Sequence, residues 1–154
     1  MRLARLLLVC SALLPAAATA TADDVIVDLD GFVSPITTIQ DGLDIVSDGG
    51  TVYVWGGRSG RGVYSGPRNR NLSFGGKNVS LEAFGAGPGD VVIDCDGLDR
   101  AFNLSADVDS TSRIMGFTIM NGATAGDGGA IYAAGALPVV SECIFRDNSA
   151  ANGG

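Results

Sequence analysis

Beyond residue 50 the chain alternates short apolar runs with turn-forming residues. Runs of β-branched and other apolar residues bounded by Gly, Pro, Asn and Asp predict brief β-strands joined by tight turns. Consecutive runs are too close together to leave room for a helix between them, which excludes a doubly wound α/β architecture. The predicted strands lie at residues 51–55, 71–74, 79–83, 91–95, 101–104, 114–120, 130–133 and 139–145.

One segment has helical rather than strand spacing, and it predicts a helix over residues 37–47. Apolar side chains recur there on one face: Ile36, Ile39, Leu43 and Val46. Thr37 followed by Gln40 fits a capping box, and the sequence at residues 48–50, Asp-Gly-Gly, supplies a stop. Gly42 inside the helix costs about 1 kcal/mol relative to alanine, so packing must hold the helix in place.

Residues 1–22 predict a secretory signal peptide. Two arginines, Arg2 and Arg5, precede an apolar run at residues 6–14, and alanines at alternate positions follow it. The run is shorter than the roughly 20 residues needed to span a bilayer. Lipidation at Cys10 is the weaker alternative, because bulky residues precede this cysteine. Residues 23–35 are then a lead-in segment.

A weak internal repeat determines the fold prediction. Gly128-Gly129 recurs at residues 153–154, a step of 25. Residues 93–97 align with residues 118–122 at a step of 25, and these with residues 144–148 at a step of 26. Units of this length cannot bury their apolar residues alone, so they must stack on one another.

Stacked units place equivalent residues about 4.8 Å apart along the axis. The alignment predicts two inward ladders: Cys95 with Ile119 and Phe145, and Phe102 with Ile131. It also predicts an asparagine ladder at one corner, formed by Asn121 and Asn148. A β-sandwich remains the alternative fold, although its strands are usually longer and alternate more strictly.

Two motifs carry a resemblance to known proteins. Gly128-Gly129-Ala130-Ile131, followed by Phe145-Arg146-Asp147-Asn148, resembles the paired GGAI and FxxN repeat of the chlamydial polymorphic outer-membrane proteins. A wider stretch is similar to the start of many secreted pectin-lyase-like β-helix proteins, and it runs from Thr38-Ile39-Gln40 through Gly66-Pro67 and Phe74-Gly75-Gly76-Lys77 to Ile93-Asp94-Cys95. Together the two resemblances cover about residues 36–154. The resemblance implies a right-handed parallel β-helix, export, and a role in adhesion or surface display, without implying an activity.

Together these observations predict an all-β, right-handed parallel β-helix of about three coils. A capping helix at residues 36–50 precedes the coils, which occupy residues 51–154. The chain departs from the family by holding one full GGAI–FxxN unit and by lacking its C-terminal barrel. The glycines at residues 153–154 read as the start of another unit, so a fragment truncated at the C-terminal end is expected.

Charge and composition restrict the possible functions. The formal net charge is −7, and it becomes −9 once Arg2 and Arg5 leave with the signal peptide. An acidic surface repels phosphate backbones, so nucleic acid is excluded as a partner. The sequence contains no histidine, the commonest general base and metal ligand.

Two charged clusters are candidate sites. Asp94, Asp96 and Asp99 with Arg100 form the best group of oxygen ligands or catalytic acids, although a solvated turn is the expected role. The second cluster is a loop with four arginines: Arg58, Arg61, Arg68 and Arg70. Because arginine side chains bind carboxylates and sulfates well, this loop is a candidate site for a polyanionic glycan. The alternative is an insertion whose charges are solvated.

Modification chemistry adds further candidates. Asn71, Asn78 and Asn103 each begin an N-x-S sequon and are possible glycosylation sites in a eukaryotic secretory route. Cys95 and Cys143 are 48 residues apart, about two coils, which separates them by roughly 9–10 Å along the stack. Because disulfides need Cα atoms within about 7 Å, both thiols are expected to be free, buried ladder residues.

The function expected from these features is that of a non-catalytic, secreted or surface-exposed β-helix scaffold, adhesin-like or structural. A bacterial source would place it at the outer membrane. Its expected partner is a cell-surface glycan or protein, with no cofactor, metal or catalytic residue and no membrane-spanning segment in the mature chain. The alternative is a polysaccharide lyase or glycoside hydrolase whose catalytic coils lie beyond residue 154.

Overall fold

The computed structural model describes residues 24–85, 87 and 89–153. The predicted signal peptide, Cys10 and Gly154 therefore lie outside the described residues. Within them the chain forms one helix, α1, Ile39–Ile45, and thirteen short strands. The strands are β1 Val25–Asp28, β2 Thr51–Trp55, β3 Gly62–Tyr64, β4 Ser80–Phe84, β5 Val91–Asp94, β6 Phe102–Leu104, β7 Arg113–Met115, β8 Thr118–Met120, β9 Ala123–Asp127, β10 Ile131–Ala133, β11 Val139–Ser141, β12 Ile144–Arg146 and β13 Ser149–Asn152.

The described strands pair in parallel throughout, and they form a β-helix. A five-stranded sheet has the order β1-β2-β4-β7-β11, and a four-stranded sheet the order β12-β8-β5-β3. Two smaller sheets pair β10 with β6 and β13 with β9. Each strand of the largest sheet belongs to a different turn, so the stack has about five turns rather than the three predicted. Parallel pairing also rules out the β-sandwich, whose sheets are antiparallel.

Strand boundaries differ from the prediction where corners fall inside an apolar run. The run at residues 114–120 is divided into β7 and β8 by Gly116, whose φ is +84°. The run at residues 139–145 is divided in the same way at Glu142, at φ +54°. Residues 71–74 contribute only a bridge, from Leu72 to Phe102. Strands β1, β3, β9 and β13 were not predicted.

The register of the ladders corrects one prediction and confirms another. Ile93 pairs with Ile119, which pairs with Phe145, at a constant step of 26 residues. Cys95 is therefore not in this ladder: it follows the end of β5, where its N–H donates to the Met120 carbonyl. Phe102 pairs with Ile131 as predicted.

The core is a column of inward-facing apolar side chains that lies inside the sheets. Val52, Leu81 and Ile114 are stacked in register and fully buried. Phe145 continues the neighbouring ladder on the last described turn, but it is 48% exposed, not buried as predicted. It is exposed because no described turn packs against its far side.

Helix α1 begins two residues later and ends two residues earlier than predicted, and it is capped by different residues. The N-cap is Thr38, whose hydroxyl accepts from the Asp41 N–H, so the predicted pairing of Thr37 with Gln40 is wrong. Gln40 instead binds the backbone of Ser73: its amide oxygen accepts the N–H at 3.0 Å and its amide nitrogen donates to the carbonyl at 3.1 Å. This pair joins the helix to the neighbouring turn.

The buried Asn69 and the half-buried Lys77 bind the free backbone groups at the two ends of the helix. Asn69 accepts the Ile39 N–H at 2.8 Å and donates to the Ser65 carbonyl at 2.8 Å. At the other end the Lys77 ammonium donates to the carbonyls of Leu43 at 2.5 Å and Val46 at 2.8 Å. A cation at the C-terminal carbonyls also interacts favourably with the helix dipole. Residues 65–78 thus hold the helix from both ends.

Gly42 allows the helix to pack closely against β1 and β2. A Cβ atom added to this residue would lie 2.5 Å from Val27 Cγ2 and 3.1 Å from Val52 Cγ1. Helix propensity alone predicts that Gly42→Ala gains about 1 kcal/mol. We expect the opposite, a loss of about 1–3 kcal/mol in the free energy of unfolding, because the two valines are stiff and buried.

Urea denaturation of the single and double variants measures this effect. In the double variant Val27→Ala/Gly42→Ala, the truncated valine makes room for the added methyl group, so the combined loss should be smaller than the sum of the two single losses. A stabilised Gly42→Ala variant would show that the helix does not rest on β1 and β2 as described.

Candidate functional site

A groove runs across three successive turns at one corner of the β-helix. Asp96, Asn121 and Asp147 lie at this corner on successive turns, each with left-handed backbone, at φ +58°, +57° and +52°. Such a conformation bends the chain sharply and is tolerated best by Asn, Asp and Gly. The corner groove has a volume of about 550 Å³. Its lining residues are Asp94, Asp96, Gly97, Asn121, Gly122, Ala123, Asp147 and Ser149.

The two asparagines at this corner do not form the predicted ladder. Asn148 is one position beyond the left-handed residue of its turn; its side-chain oxygen accepts the Gly122 N–H at 2.8 Å and its amide donates to the Ile119 carbonyl at 3.0 Å. Asn121 is itself a left-handed residue, and its amide donates to Asp94 at 2.9 Å. Both side chains link adjacent turns, but from different positions.

The carboxylates of the predicted aspartate cluster bind groups of the protein itself. Asp94 accepts from the Asp96 N–H at 2.9 Å, in addition to Asn121. Asp96 accepts from the Gly66 N–H at 3.2 Å and from the Arg70 guanidinium at 2.8 Å. Asp99 accepts the Arg100 N–H at 2.8 Å, and its carboxylate lies 3.7 Å from the guanidinium Nε of that residue. These contacts hold the corner and the preceding turn together.

The four candidate arginines are spread over separate contacts rather than gathered in one patch. Arg61 pairs with Asp90 at 3.5 Å, Arg70 with Asp96, and the Arg58 guanidinium lies 3.7 Å from the centre of the Phe32 ring. Arg68 reaches the helix, where it bridges Asp41 and Asp44 at 2.5 Å each.

The carboxylates of α1 are stabilised in their charged form. The pKa of Asp41 is lowered first by the hydrogen bond from Thr38 and then by Arg68. The pKa of Asp44 is lowered first by the hydrogen bond from Gln40 and then by Arg68. The Arg68 guanidinium therefore supports the cap of the helix, a role that its place in a predicted loop did not indicate.

The three sequon asparagines differ in accessibility. Asn71 and Asn103 are exposed, the latter at the centre of β6. Asn78 is half-buried, and its side-chain oxygen accepts from the Asp109 N–H at 2.8 Å and from the Ser112 hydroxyl at 3.0 Å. Its side chain therefore forms part of a corner between turns.

The GGAI residues follow β9, and the FxxN residues precede β13. Strands β9 and β13 form a two-stranded parallel sheet, which we call the arm; the Gly128 N–H donates to the Asn152 carbonyl and the Gly129 N–H to the Gly153 carbonyl. Gly128 and Gly153 share a left-handed φ, +66° and +67°. Ala130 is buried, and Ile131 packs against the core. Gly128 and Gly153 repeat because each stands where the corner needs left-handed backbone.

Both described cysteines are free thiols, as predicted. Cys95 is buried, and burial, assisted by the charge of Asp94, raises the pKa of its thiol to about 12. Cys143 is half-buried rather than buried as predicted, and its sulfur lies 3.3 Å from the Ser141 carbonyl oxygen. Burial also raises the pKa of the Cys143 thiol.

Thiol labelling tests this description. At pH 7.5 iodoacetamide should modify Cys143 slowly and leave Cys95 unmodified, because the thiolate is the reactive form and both pKa values lie above the usual range. Complete labelling of Cys95 is expected only in urea. Mass spectrometry of the non-reduced, digested protein provides the second measurement, and a Cys95–Cys143 linked peptide would contradict the register of the stack.

The outer face of the five-stranded sheet carries aromatic side chains that no sequence motif indicated. Within β2, Val52 and Val54 point into the core, whereas Tyr53 and Trp55 point outward and are half-buried. Phe84 of β4 pairs with Trp55. The strict alternation of β2 was the signal that could have placed these rings outside.

Within the described part of the chain, no group of three or more His, Cys, Asp or Glu side chains is placed to hold a metal ion. Among the same residues, no helix combines the length and apolar character needed to span a membrane.

The fold and its corners define the class of protein: a parallel β-helix consistent with the pectin-lyase-like architecture, with polar residues that link one turn to the next. No protein-family model, curated protein or solved structure matches the chain.

Proposed function

We propose that the chain is a secreted or surface-exposed, non-catalytic β-helix scaffold with an adhesin-like or structural role. The observation that carries this proposal is that the charged candidates bind other groups of the protein across turns. Asp96 accepts from Arg70 and from the Gly66 N–H, and Asp94 accepts from Asn121. A site for catalysis needs carboxylates positioned toward substrate, whereas these serve the stack.

Export and surface display belong to the same proposal. The signal-peptide pattern of residues 1–22 supports export, and the GGAI and FxxN motifs support a relationship to the polymorphic outer-membrane proteins. In a eukaryotic secretory route, the exposed Asn71 and Asn103 would be the preferred glycan acceptors, because Asn78 is engaged within a corner.

A carbohydrate-active enzyme is the second candidate, and the corner groove is the observation in its favour. Three aspartates, Asp94, Asp96 and Asp147, line a groove that runs across turns, the direction in which an extended polysaccharide would lie. Acidic side chains on such a groove suit proton transfer to or from a sugar.

Two measurements separate the candidates. The purified chain is incubated with polygalacturonate, pectin and alginate, with and without Ca²⁺, and unsaturated products and reducing ends are measured; a scaffold gives no turnover. Reproducible cleavage that is lost in Asp94→Ala or Asp96→Ala would establish the enzyme instead. Attachment of protein-coated beads to cell surfaces, above that of albumin-coated beads, is the expected positive result for the scaffold.

A further inference from the structure

The strand register fixes a grid of outward side chains on the five-stranded sheet. One row contains Ile26, Tyr53, Glu82, Met115 and Ser141, taken from β1, β2, β4, β7 and β11. The next row along the strands contains Asp28, Trp55 and Phe84, and Asp28 is fully buried. The preceding row contains Ser80 beside Arg113. Neighbours within a row are about 4.8 Å apart, and adjacent rows on one strand about 6.6 Å.

Three aromatic residues occupy adjacent positions of this grid. Tyr53 and Trp55 are two residues apart on β2, and Phe84 is beside Trp55 on β4. All three are half-buried and face away from the core. We call these three residues the aromatic platform. Aromatic rings on a flat sheet offer apolar faces at a fixed spacing with little loss of side-chain freedom on binding.

Glu82 lies directly beside the platform, and Arg113 lies one strand and one row further away. Glu82 is the cross-strand neighbour of Tyr53 and is two residues before Phe84 on β4. Burial raises the pKa of Glu82, Arg113 opposes this rise, and the charge of Asp24 adds to it. The pKa of Tyr53 is raised by burial, by Asp24 and by Glu82. The face thus presents hydrogen-bonding groups with an excess of negative charge.

We propose that the aromatic platform, with Glu82 and Arg113, is a binding site for a neutral glycan chain. The apolar C–H faces of the sugar rings stack on Tyr53, Trp55 and Phe84, while hydroxyl groups donate to Glu82 and accept from Arg113. This inference rests on the proposed scaffold function and names the class of its partner.

Charge decides which glycans fit. Glu82 and Asp24 repel uronate and sulfate groups at close range, and Arg113 balances one of the two carboxylates. The formal net charge of the chain, −7, acts in the same direction over longer distances. A neutral polysaccharide is therefore the complementary ligand, in contrast to the polyanion suggested by the arginine-rich loop.

Trp55 is the single tryptophan of the chain, so its fluorescence reports on this site alone. Barley β-glucan, xyloglucan and galactomannan are titrated into the purified protein, with polygalacturonate and heparin as charged comparisons. We expect a saturable change in emission with at least one neutral glycan and none with the polyanions. Unchanged emission with every neutral glycan, or a response to the polyanions alone, overturns the proposal.

Affinity electrophoresis in gels that contain the responding glycan tests the residues. Trp55→Ala and Tyr53→Ala should weaken retention at least about tenfold, the usual scale for a central aromatic contact. Trp55→Phe, which keeps a ring, should retain most of the binding and controls for folding. Phe145→Ala removes an exposed ring from the four-stranded sheet, 48% exposed, and should leave binding unchanged. Equal retention of Trp55→Ala and the wild type contradicts the site.

Bead attachment separates this inference from the scaffold proposal. If no neutral glycan binds but the wild-type and Trp55→Ala beads attach to cells equally, the glycan site is wrong and the adhesive role stands. If neutral glycans bind but no beads attach, the site stands and the adhesive role is wrong. The platform could instead bind a second copy of the chain, which sedimentation of the wild-type and Trp55→Ala proteins tests. If the wild type is a dimer and Trp55→Ala is a monomer, the platform is a dimer interface and the glycan site is overturned.

Discussion

Phe102→Ala is expected to lower the free energy of unfolding by about 3–5 kcal/mol, the usual loss for a fully buried phenylalanine. Phe102 has no exposed surface and pairs with Ile131 on the next turn. On the preceding turn Leu72 forms a bridge with it, and its ring meets that of Phe74 edge-on with the centroids 6.4 Å apart. Removal of the ring leaves a cavity between three successive turns.

Urea denaturation followed by circular dichroism measures the loss. Leu98→Ala is the control, because this leucine is 65% exposed and its truncation should change the free energy by less than about 0.5 kcal/mol. Equal stabilities of the Phe102→Ala and Leu98→Ala variants would mean that Phe102 does not occupy the centre of the stack.

Gly129→Ala is expected to lower the free energy of unfolding by at least about 3 kcal/mol, at the upper end for an added methyl group. A Cβ atom at this residue would lie 2.5 Å from the carbonyl oxygen of Ser149 and 2.8 Å from its nitrogen. Backbone on the following turn cannot rotate away as a side chain can, so the arm formed by β9 and β13 must shift.

Gly126→Ala is the matched control, three residues earlier in the same arm. Its added Cβ would make only ordinary contacts, 3.7 Å from the Thr124 hydroxyl and 3.8 Å from an Arg100 nitrogen. This variant should be as stable as the wild type or slightly more stable, since alanine restricts the unfolded chain. If thermal unfolding midpoints of the two variants coincide, the close approach of residue 129 to the next turn is incorrect.

Several elements were predictable because local physics alone specifies them. The alternation of β2 identified its boundaries at Thr51 and Trp55 without error. The apolar spacing of residues 36–46 identified the helix, and the repeated glycine pair identified stacked units. The pairing of Phe102 with Ile131 also followed from the repeat.

The predictions of strand boundaries and of ladder register failed because several residue types can supply the left-handed backbone of a corner. Asp96, Asn121, Glu142 and Asp147 adopt left-handed backbone without being glycine. A corner at Glu142 leaves no composition signal, so β11 and β12 were merged into one strand. The same ambiguity displaced the first ladder, in which Ile93 rather than Cys95 is beside Ile119.

The candidate sites depended still more on the folded chain. Sequence placed Arg68 and Arg70 in one basic loop, yet one binds α1 and the other binds Asp96. Their partners are 24 to 27 residues away along the chain, and only the stacking of turns brings them together. The aromatic platform likewise combines residues of β2 and β4 through their register.

By itself the sequence determined that this chain is built from short strands in stacked turns, because the spacing of apolar residues and glycines is a local property. Only the tertiary structure decided the register of the turns, the partners of the charged side chains and which aromatic rings face outward. Each of these depends on which residues of neighbouring turns lie side by side, and corners of unequal length change that alignment without a consistent mark in the sequence.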